Sequence, residues 1–206
     1  AGHNGMVGSS IYKELVRQGY KNIITNSKKK LNLLDQKKVE LFLNKIKPKV
    51  TIIAAAKVGG ILANNTYKAN FIYENLMIQS NLIHSSYLSG VKNLIFLGSS
   101  CIYPKNSPQP MKEKYLLTGK LEGTNDAYSI AKIAGIKMCE AYSTQYNLNY
   151  KALMPANMFG ANDNYDLKSS HFFPALIKKI HYAKVNKKKS ITLWGNGQAM
   201  RELLYV

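Results

Sequence analysis

Apolar positions along the chain fall into two alternating rhythms. Short continuous apolar runs stand at 22–25, 50–56, 91–97, 150–154 and 190–194, of which Val50-Thr51-Ile52-Ile53-Ala54-Ala55-Ala56 is the clearest. Runs of this length with β-branched residues predict strands buried on both faces. Between them, apolar residues recur every three to four positions over 9–18, 34–46, 66–89, 126–145 and 171–185, and these stretches predict helices. In 34–46 the stripe is Val39, Leu41, Phe42 and Ile46; in 66–89 it includes Phe71, Leu76, Ile78, Leu82 and Ile83. Strands alternating with helices imply an α/β fold, a doubly wound parallel sheet of Rossmann type with helices on both faces. Ligands of such sheets lie at the carboxyl ends of the strands. The segments Gly2–Gly8, Ala56-Lys57, Ser99–Cys101 and Pro155–Met158 all fall at such ends.

Gly2-His3-Asn4-Gly5-Met6-Val7-Gly8 is a G-x-x-G-x-x-G that runs directly into the first helix. Glycines allow a tight turn and close approach of a phosphate to backbone N–H groups, and the helix start turns its positive end toward a pyrophosphate. Such a loop should follow a buried strand. The chain instead begins at Ala1, and Glu202-Leu203-Leu204-Tyr205-Val206 ends in mid-run. The expectation is therefore an internal fragment. The absent first strand would lie between 22–25 and 50–56, and residues 1–206 alone would be poorly stable and inactive. The expected division is a dinucleotide-binding domain at 1–160 and a truncated substrate-binding region at 161–206.

Downstream, Ser99-Ser100-Cys101-Ile102-Tyr103-Pro104 and Tyr128-Ser129-Ile130-Ala131-Lys132 gather a hydroxyl, a thiol, a phenol and an ammonium group. Tyr128 and Lys132, four apart on a helix, share a face. A nearby cation favours the phenolate, so Lys132 is expected to lower the pKa of Tyr128 and make it a usable proton donor. Ser99 is placed to hold the same carbonyl oxygen. Cys101 also fits a small packing residue at a strand end, and His171 a helix-start residue. Their neighbours, two preceding serines for Cys101 and Ser-His-x-x-Pro for His171, favour chemistry.

Charge changes the picture little. The chain has 206 residues, 46% of them hydrophobic, and a net charge of +18. Basic groups are spread evenly, with 14 in residues 1–100 and 15 in the rest, and only Arg17 and Arg201 are arginines. Nucleic-acid readers favour arginine's planar fork, so nucleic acid is not an expected partner. Lys28-Lys29-Lys30 and Lys187-Lys188-Lys189 read as solvated surface. No apolar stretch has the length of a membrane span. The two cysteines, Cys101 and Cys139, have no metal-ligand spacing, no metal is expected, and a reducing, cytoplasmic setting fits.

The glycine loop, Ser99 and Tyr128-x-x-x-Lys132 together resemble the extended short-chain dehydrogenase/reductases that act on nucleotide sugars. Five further motifs closely resemble the GDP-L-fucose synthases of that superfamily. These are Ala54-Ala55-Ala56-Lys57-Val58-Gly59-Gly60-Ile61, Gly98-Ser99-Ser100-Cys101-Ile102-Tyr103-Pro104, Met154-Pro155-Ala156-Asn157, Ser170-His171-x-x-Pro174-Ala175-Leu176 and Trp194-Gly195-x-Gly197-x-x-Met200-Arg201-Glu202. The resemblance implies NADPH-dependent conversion of GDP-4-dehydro-6-deoxy-D-mannose to GDP-L-fucose, by 3,5-epimerisation and then 4-keto reduction. It implies a homodimer. It assigns catalysis to Ser99, Cys101, Tyr128, Lys132 and His171, with Cys101 as base and His171 as acid. Reference pKa values near 8.5 and 6.5 suit those tasks.

By the same resemblance the dinucleotide would contact Gly2, His3, Asn4, Gly5, Met6, Val7 and Gly8, then Lys28, Lys29, Lys30, Leu31, Asn32 and Leu33. It would also contact Leu97, Gly98, Ser99, Ser100, Lys132, Pro155, Ala156, Asn157, Met158 and His171. Lys179, Trp194 and Arg201 would hold the GDP-sugar. Relatives often carry Arg where Asn4 stands, and that Arg holds the 2′-phosphate of NADP. Lys28–Lys30 would take over, since no acid ends the 22–25 segment. The alternatives are a nucleotide-sugar 4-epimerase, a 4,6-dehydratase, or a non-catalytic NAD(P)-binding Rossmann protein. Dehydratases typically place Thr-Asp-Glu at Ser99-Ser100-Cys101, so the cysteine speaks against that reading. An intact Ser99, Tyr128 and Lys132 speaks against a silent protein.

Overall fold

The computed structural model describes residues 1–206. In chain order the helices are α1 (Met6–Arg17), α2 (Gln36–Ile46), α3 (Ile61–Thr66), α4 (Lys68–Leu88), α5 (Asp126–Tyr146) and α6 (Phe172–Val185). The strands are β1 (Val50–Ile53), β2 (Asn93–Leu97), β3 (Asn149–Leu153), β4 (Asn157–Phe159) and β5 (Leu203–Tyr205). β1, β2 and β3 form a parallel sheet in that order, with Ile52 opposite Ile95 and Ile95 opposite Lys151. The α/β architecture with a parallel sheet is as the periodicity implied.

Each strand turns alternate side chains to one covered face. Ile53, Leu94, Phe96 and Tyr150 are buried there with Val39, Leu43, Leu82, Ile83, Ile133, Ile136 and Cys139 from the helices. Each large side chain so buried contributes about 1.5–3 kcal/mol. α4 packs between α2 and α5 to make this layer. Close packing depends on Gly135, where a Cβ would stand 2.6 Å from the Phe96 ring. The opposite side chains are less covered, and Val50 and Leu153 are exposed.

Local signals set the helix ends. Asp35 caps α2 by accepting the Lys38 N–H at 3.0 Å, and Lys47 ends it in the left-handed region at φ 40°. Asn147 ends α5 in the same way at φ 51°. No helix is long and apolar enough to cross a membrane.

Three expectations need correction. Residues 22–25 are not a strand, because their backbone finds no ladder and Ile24 is exposed. Residues 190–194 are irregular for the same reason, with Leu193 and Trp194 exposed. An apolar run makes a strand only where neighbouring N–H and C=O groups pair with it. The pairing partner of the C-terminal region is instead β5, which runs parallel to β4 with Met158 opposite Leu204. β1 also ends at Ile53, short of Ala56. There Ala1 takes up the edge: its amino group donates to Ile52 O at 2.6 Å, and its carbonyl accepts the Ala54 N–H at 3.0 Å.

Candidate active site

The carboxyl ends of β1, β2 and β3 lie side by side, and the chain leaving β2 stays hydrogen-bonded to that leaving β3. The Gly98 N–H donates to Leu153 O at 2.7 Å and the Ser100 N–H to Pro155 O at 3.2 Å. Gly2–Gly8, Ala54–Lys57, Gly98–Cys101 and Pro155–Asn157 therefore meet along one edge.

The glycine loop is compact where it touches protein and open where it does not. Gly2 has φ 88°, and a Cβ there would lie 2.5 Å from Ala55 N; one on Gly8 would lie 2.0 Å from Gly2 O. At Gly5, which opens α1, only Gly2 O stands within 4 Å, at 3.5 Å. The first N–H groups of α1, at Met6, Val7 and Gly8, have no partner within the helix. That arrangement suits an anionic group. Asn4 is exposed beside the loop. Lys28–Lys30 occupy a separate exposed turn closed by the Lys30 N–H to Ser27 O at 3.0 Å, and no acid pairs with them. Leu31 and Leu33 pack on the core, and Asn81 of α4 donates to Leu33 O at 2.8 Å.

Ser99 starts a 3-10 turn over Ser100–Ile102, and its hydroxyl accepts the Cys101 N–H at 3.2 Å. The Cys101 thiol is exposed. α5 carries Tyr128 past this turn. Burial raises the Tyr128 phenol above its ordinary value; the Cys101 side chain adds to the rise, and a hydrogen bond from Ser99 opposes it. Ser99, Cys101 and Tyr128 are thus mutual neighbours.

Lys132 departs from expectation. It is buried, and its Nζ donates to Leu97 O at 2.7 Å while standing 4.7 Å from the Phe96 ring centre and 5.9 Å from that of Tyr128. Burial lowers its own pKa to about 8. The expected depression of Tyr128 by Lys132 is absent, because desolvation is the leading influence on both groups and disfavours the charged form of each.

His171 lies just before α6. Its surface is exposed, yet neighbouring atoms stand close around the ring. Crowding lowers its pKa, and Asp163 pulls the other way. Ser169 and Ser170 press on Gly59 and Gly60; the Gly60 N–H donates to Ser169 O at 2.9 Å. Gly59 in turn abuts Phe71, whose ring meets Tyr128 edge-on at 6.4 Å. His171 is thereby brought to the Tyr128 side of the edge.

The sugar-side trio is only partly gathered. Lys179 donates to Thr192 O at 3.0 Å and stands 5.8 Å from the Trp194 ring centre, with Trp194 itself 72% exposed. Arg201 is exposed and its guanidinium donates to the carbonyl of Met200 at 2.7 Å. The next residue, Glu202, accepts the Asn157 side-chain amide at 3.1 Å, which links this strip to the Pro155–Met158 segment.

Sequence reading missed several supporting groups. Asn75, buried on α4, accepts the Lys57 N–H and donates to Lys57 O, both at 2.9 Å. Lys57 Nζ pairs with Glu74 at 2.6 Å. Ser129 donates to Cys101 O at 2.8 Å. A polar residue inside an apolar helix face was the available signal for Asn75 and Ser129, but it does not name a partner.

Residues 1–206 match the NAD dependent epimerase/dehydratase family. The chain belongs to that family. Its relatives include proteins named as GDP-sugar enzymes. It is 53% identical over 206 residues to the putative GDP-L-fucose synthase 2 of Arabidopsis thaliana, covering all of this chain and 63% of that protein. It is also 53% identical over 205 residues to the GDP-L-fucose synthase of Sinorhizobium fredii, covering 65% of it. Among solved structures, the GDP-D-glycero-L-gluco-heptose synthase of Campylobacter jejuni, determined in the presence of NADPH, superposes with a TM-score of 0.91 at 35% identity. That match covers 100% of this chain and 68% of the other. The chain spans just under two thirds of the length of the curated relatives named here.

Proposed function

We propose that the protein to which these residues belong is a GDP-L-fucose synthase. It converts GDP-4-dehydro-6-deoxy-D-mannose to GDP-L-fucose by 3,5-epimerisation and then 4-keto reduction, with NADPH as reductant. The observation that carries this reading is the meeting of Ser99, Cys101 and Tyr128 at one strand edge, with the His171 segment seated on the same side. The likeness to GDP-L-fucose synthases supports it.

The glycine loop fits a dinucleotide, since its protein side is filled and its Gly5 side is open. Gly2–Gly8 would hold the pyrophosphate, and Leu97–Ser100 and Pro155–Met158 would flank the nicotinamide end. Lys28–Lys30 supply positive charge without a neighbouring acid, which favours a 2′-phosphate. When bound, NADPH supplies the hydride that reduces C4. Tyr128 delivers a proton to the C4 oxygen while the Ser99 hydroxyl holds that oxygen. Lys132, held on Leu97 O with its Nζ 5.9 Å from the Tyr128 ring centre, would donate to the nicotinamide ribose when the cofactor is bound. Before reduction, the C4 ketone acidifies the hydrogens on C3 and C5. Cys101 takes the proton and His171 returns one from the other side. Lys179 and Arg201 offer charge for the diphosphate, and Trp194 offers an aromatic face.

The division at residue 160 belongs to the same proposal; β4 ends just before it, and the β4–β5 pair, a sheet separate from β1–β3, bridges it. The proposal extends to a homodimer and a cytoplasmic setting, both on the resemblance alone.

The test is NADPH oxidation by the full-length chain with GDP-4-dehydro-6-deoxy-D-mannose. Tyr128→Phe should lose about 10²- to 10⁴-fold in reduction and still bind NADPH. No oxidation by a parent protein that binds NADPH tightly and melts cooperatively would rule out this assignment.

A further inference from the structure

The turn between β1 and α3 is pressed against the chain just before His171 with nothing between them. A Cβ on Gly60 would stand 2.1 Å from Ser170 O, and one on Gly59 would stand 3.3 Å from Ser169 O. Backbone therefore rests on backbone, and the turn forms the seat from which His171 projects. A displacement of the turn is passed directly to Ser169 and Ser170, since no flexible side chain absorbs it.

One side chain holds that turn in shape. Asn64 is buried, and its Nδ2 donates to Gly59 O at 2.6 Å and to Gly60 O at 3.1 Å. Its own backbone N–H also bonds Gly60 O, at 3.0 Å. α3 has six residues, and its N-cap Gly60 brings no side-chain cap. So short a helix does not hold its first turn by itself. Asn64 Oδ1 and Ser170 Oγ are buried without hydrogen-bond partners, so the amide serves this turn as a donor only. Removing it would strip Gly59 O of the amide donor and leave Gly60 O with the Asn64 backbone N–H alone.

We propose that Asn64 is a positioning residue for His171: by clamping Gly59 and Gly60 it fixes the seat of Ser169–Ser170 and so places the imidazole for proton transfer at the sugar ring. The inference rests on the proposed function. It separates the two reactions of that function, because the reducing groups are held by other contacts. Tyr128 and Cys101 are joined through Ser129, and Lys132 through Leu97 O.

The experiment uses the full-length chain with Asn64→Ala and, separately, Gly60→Ala. Gly60→Ala keeps the Asn64 amide but forces a methyl against Ser170 O, so it moves the same seat from the other side. Deuterium uptake from D2O into GDP-4-dehydro-6-deoxy-D-mannose, without NADPH, reads epimerisation. NADPH oxidation reads reduction. Uptake should fall about tenfold to a hundredfold in both variants. NADPH oxidation should stay within about threefold, with the product shifted toward incompletely epimerised sugars. A parallel fall in uptake and oxidation, or no fall in uptake, overturns the inference. If the parent shows no turnover, the proposed function fails on its own. The His171 ring signals in NMR then decide about Asn64: a titration midpoint that moves in Asn64→Ala supports the seat, and an unmoved one overturns it. If Asn64→Ala does not fold, the same readouts on Gly60→Ala decide.

Discussion

Ser129 Oγ donates to the Cys101 carbonyl oxygen at 2.8 Å, joining the helix turn next to Tyr128 to the 3-10 turn that presents the thiol. The two segments are 28 residues apart in the chain, and Ser129 is fully buried. One hydroxyl thus sets the spacing between the phenol on α5 and the thiol beyond β2. Because both groups are held from behind, their side chains remain free to face a substrate.

Ser129→Ala should therefore cost more than its size implies. The Cys101 carbonyl would lose a buried donor, a loss of about 1–3 kcal/mol. Chemical denaturation of the full-length chain checks the stability loss. In the same variant kcat should fall while NADPH affinity holds. A drop in affinity with kcat unchanged would show that the bond serves the cofactor loop instead.

Lys132 gives a pH dependence with a definite sign. Its folded pKa, about 8, lies below its ordinary 10.5, so between those values the unfolded chain carries a proton that the folded chain has lost. Stability from this group consequently rises with pH across that window, and below pH 8 the buried charge is a standing cost. The difference corresponds to roughly 3 kcal/mol. Lys132→Met removes the charge and keeps most of the volume, though it leaves Leu97 O without its donor. Relative to the parent, the variant should gain most in melting temperature at pH 7, with the gain shrinking steadily toward pH 10. A gain that does not change with pH would mean that Lys132 keeps its proton in the fold across this range, as it does in the unfolded chain.

The contrast between what was readable in the chain and what was not has a physical pattern. Helices α4 and α5 and the buried strands β1–β3 follow from apolar spacing because their own side chains create the core. Residues 22–25 and 190–194 have comparable apolar content, yet strand formation depends on a neighbour that local sequence does not specify. β5 is the converse case: it forms because β4 accepts it. At the site, residue types and order pointed to Ser99, Cys101, Tyr128 and His171 as candidates, and the fold brings the first three together. The pKa of Tyr128 was misjudged because helical spacing reports distance along a face but not desolvation. Asn64, Asn75 and Ser129 act through backbone carbonyls, which have no sequence signature at all.

The direction of the His171 shift distinguishes its two possible roles. Crowding holds the imidazole below its usual 6.5, so most of it is neutral at pH 7. If His171 returns a proton to the sugar, deuterium uptake must fall as pH rises through that lowered value, since imidazolium is the working form. His171→Gln should remove this limb and leave NADPH oxidation less affected. Uptake that instead rises through the same range would make His171 the base and Cys101 the acid.

Trp194 offers the most direct check on the sugar side. It is the only tryptophan in the 206 residues, 72% exposed, with the Lys179 ammonium 5.8 Å from its ring centre. A ring so exposed beside a cation is open to a planar base or a diphosphate. Adding GDP to the full-length chain should change the Trp194 emission, and Trp194→Phe should remove that change. Lys179→Ala should raise KM for the GDP-sugar about tenfold, the loss of one charged contact of about 1.4 kcal/mol, with kcat and NADPH affinity largely kept. Emission that responds to NADPH but not to GDP would move Trp194 from the sugar side to the cofactor side.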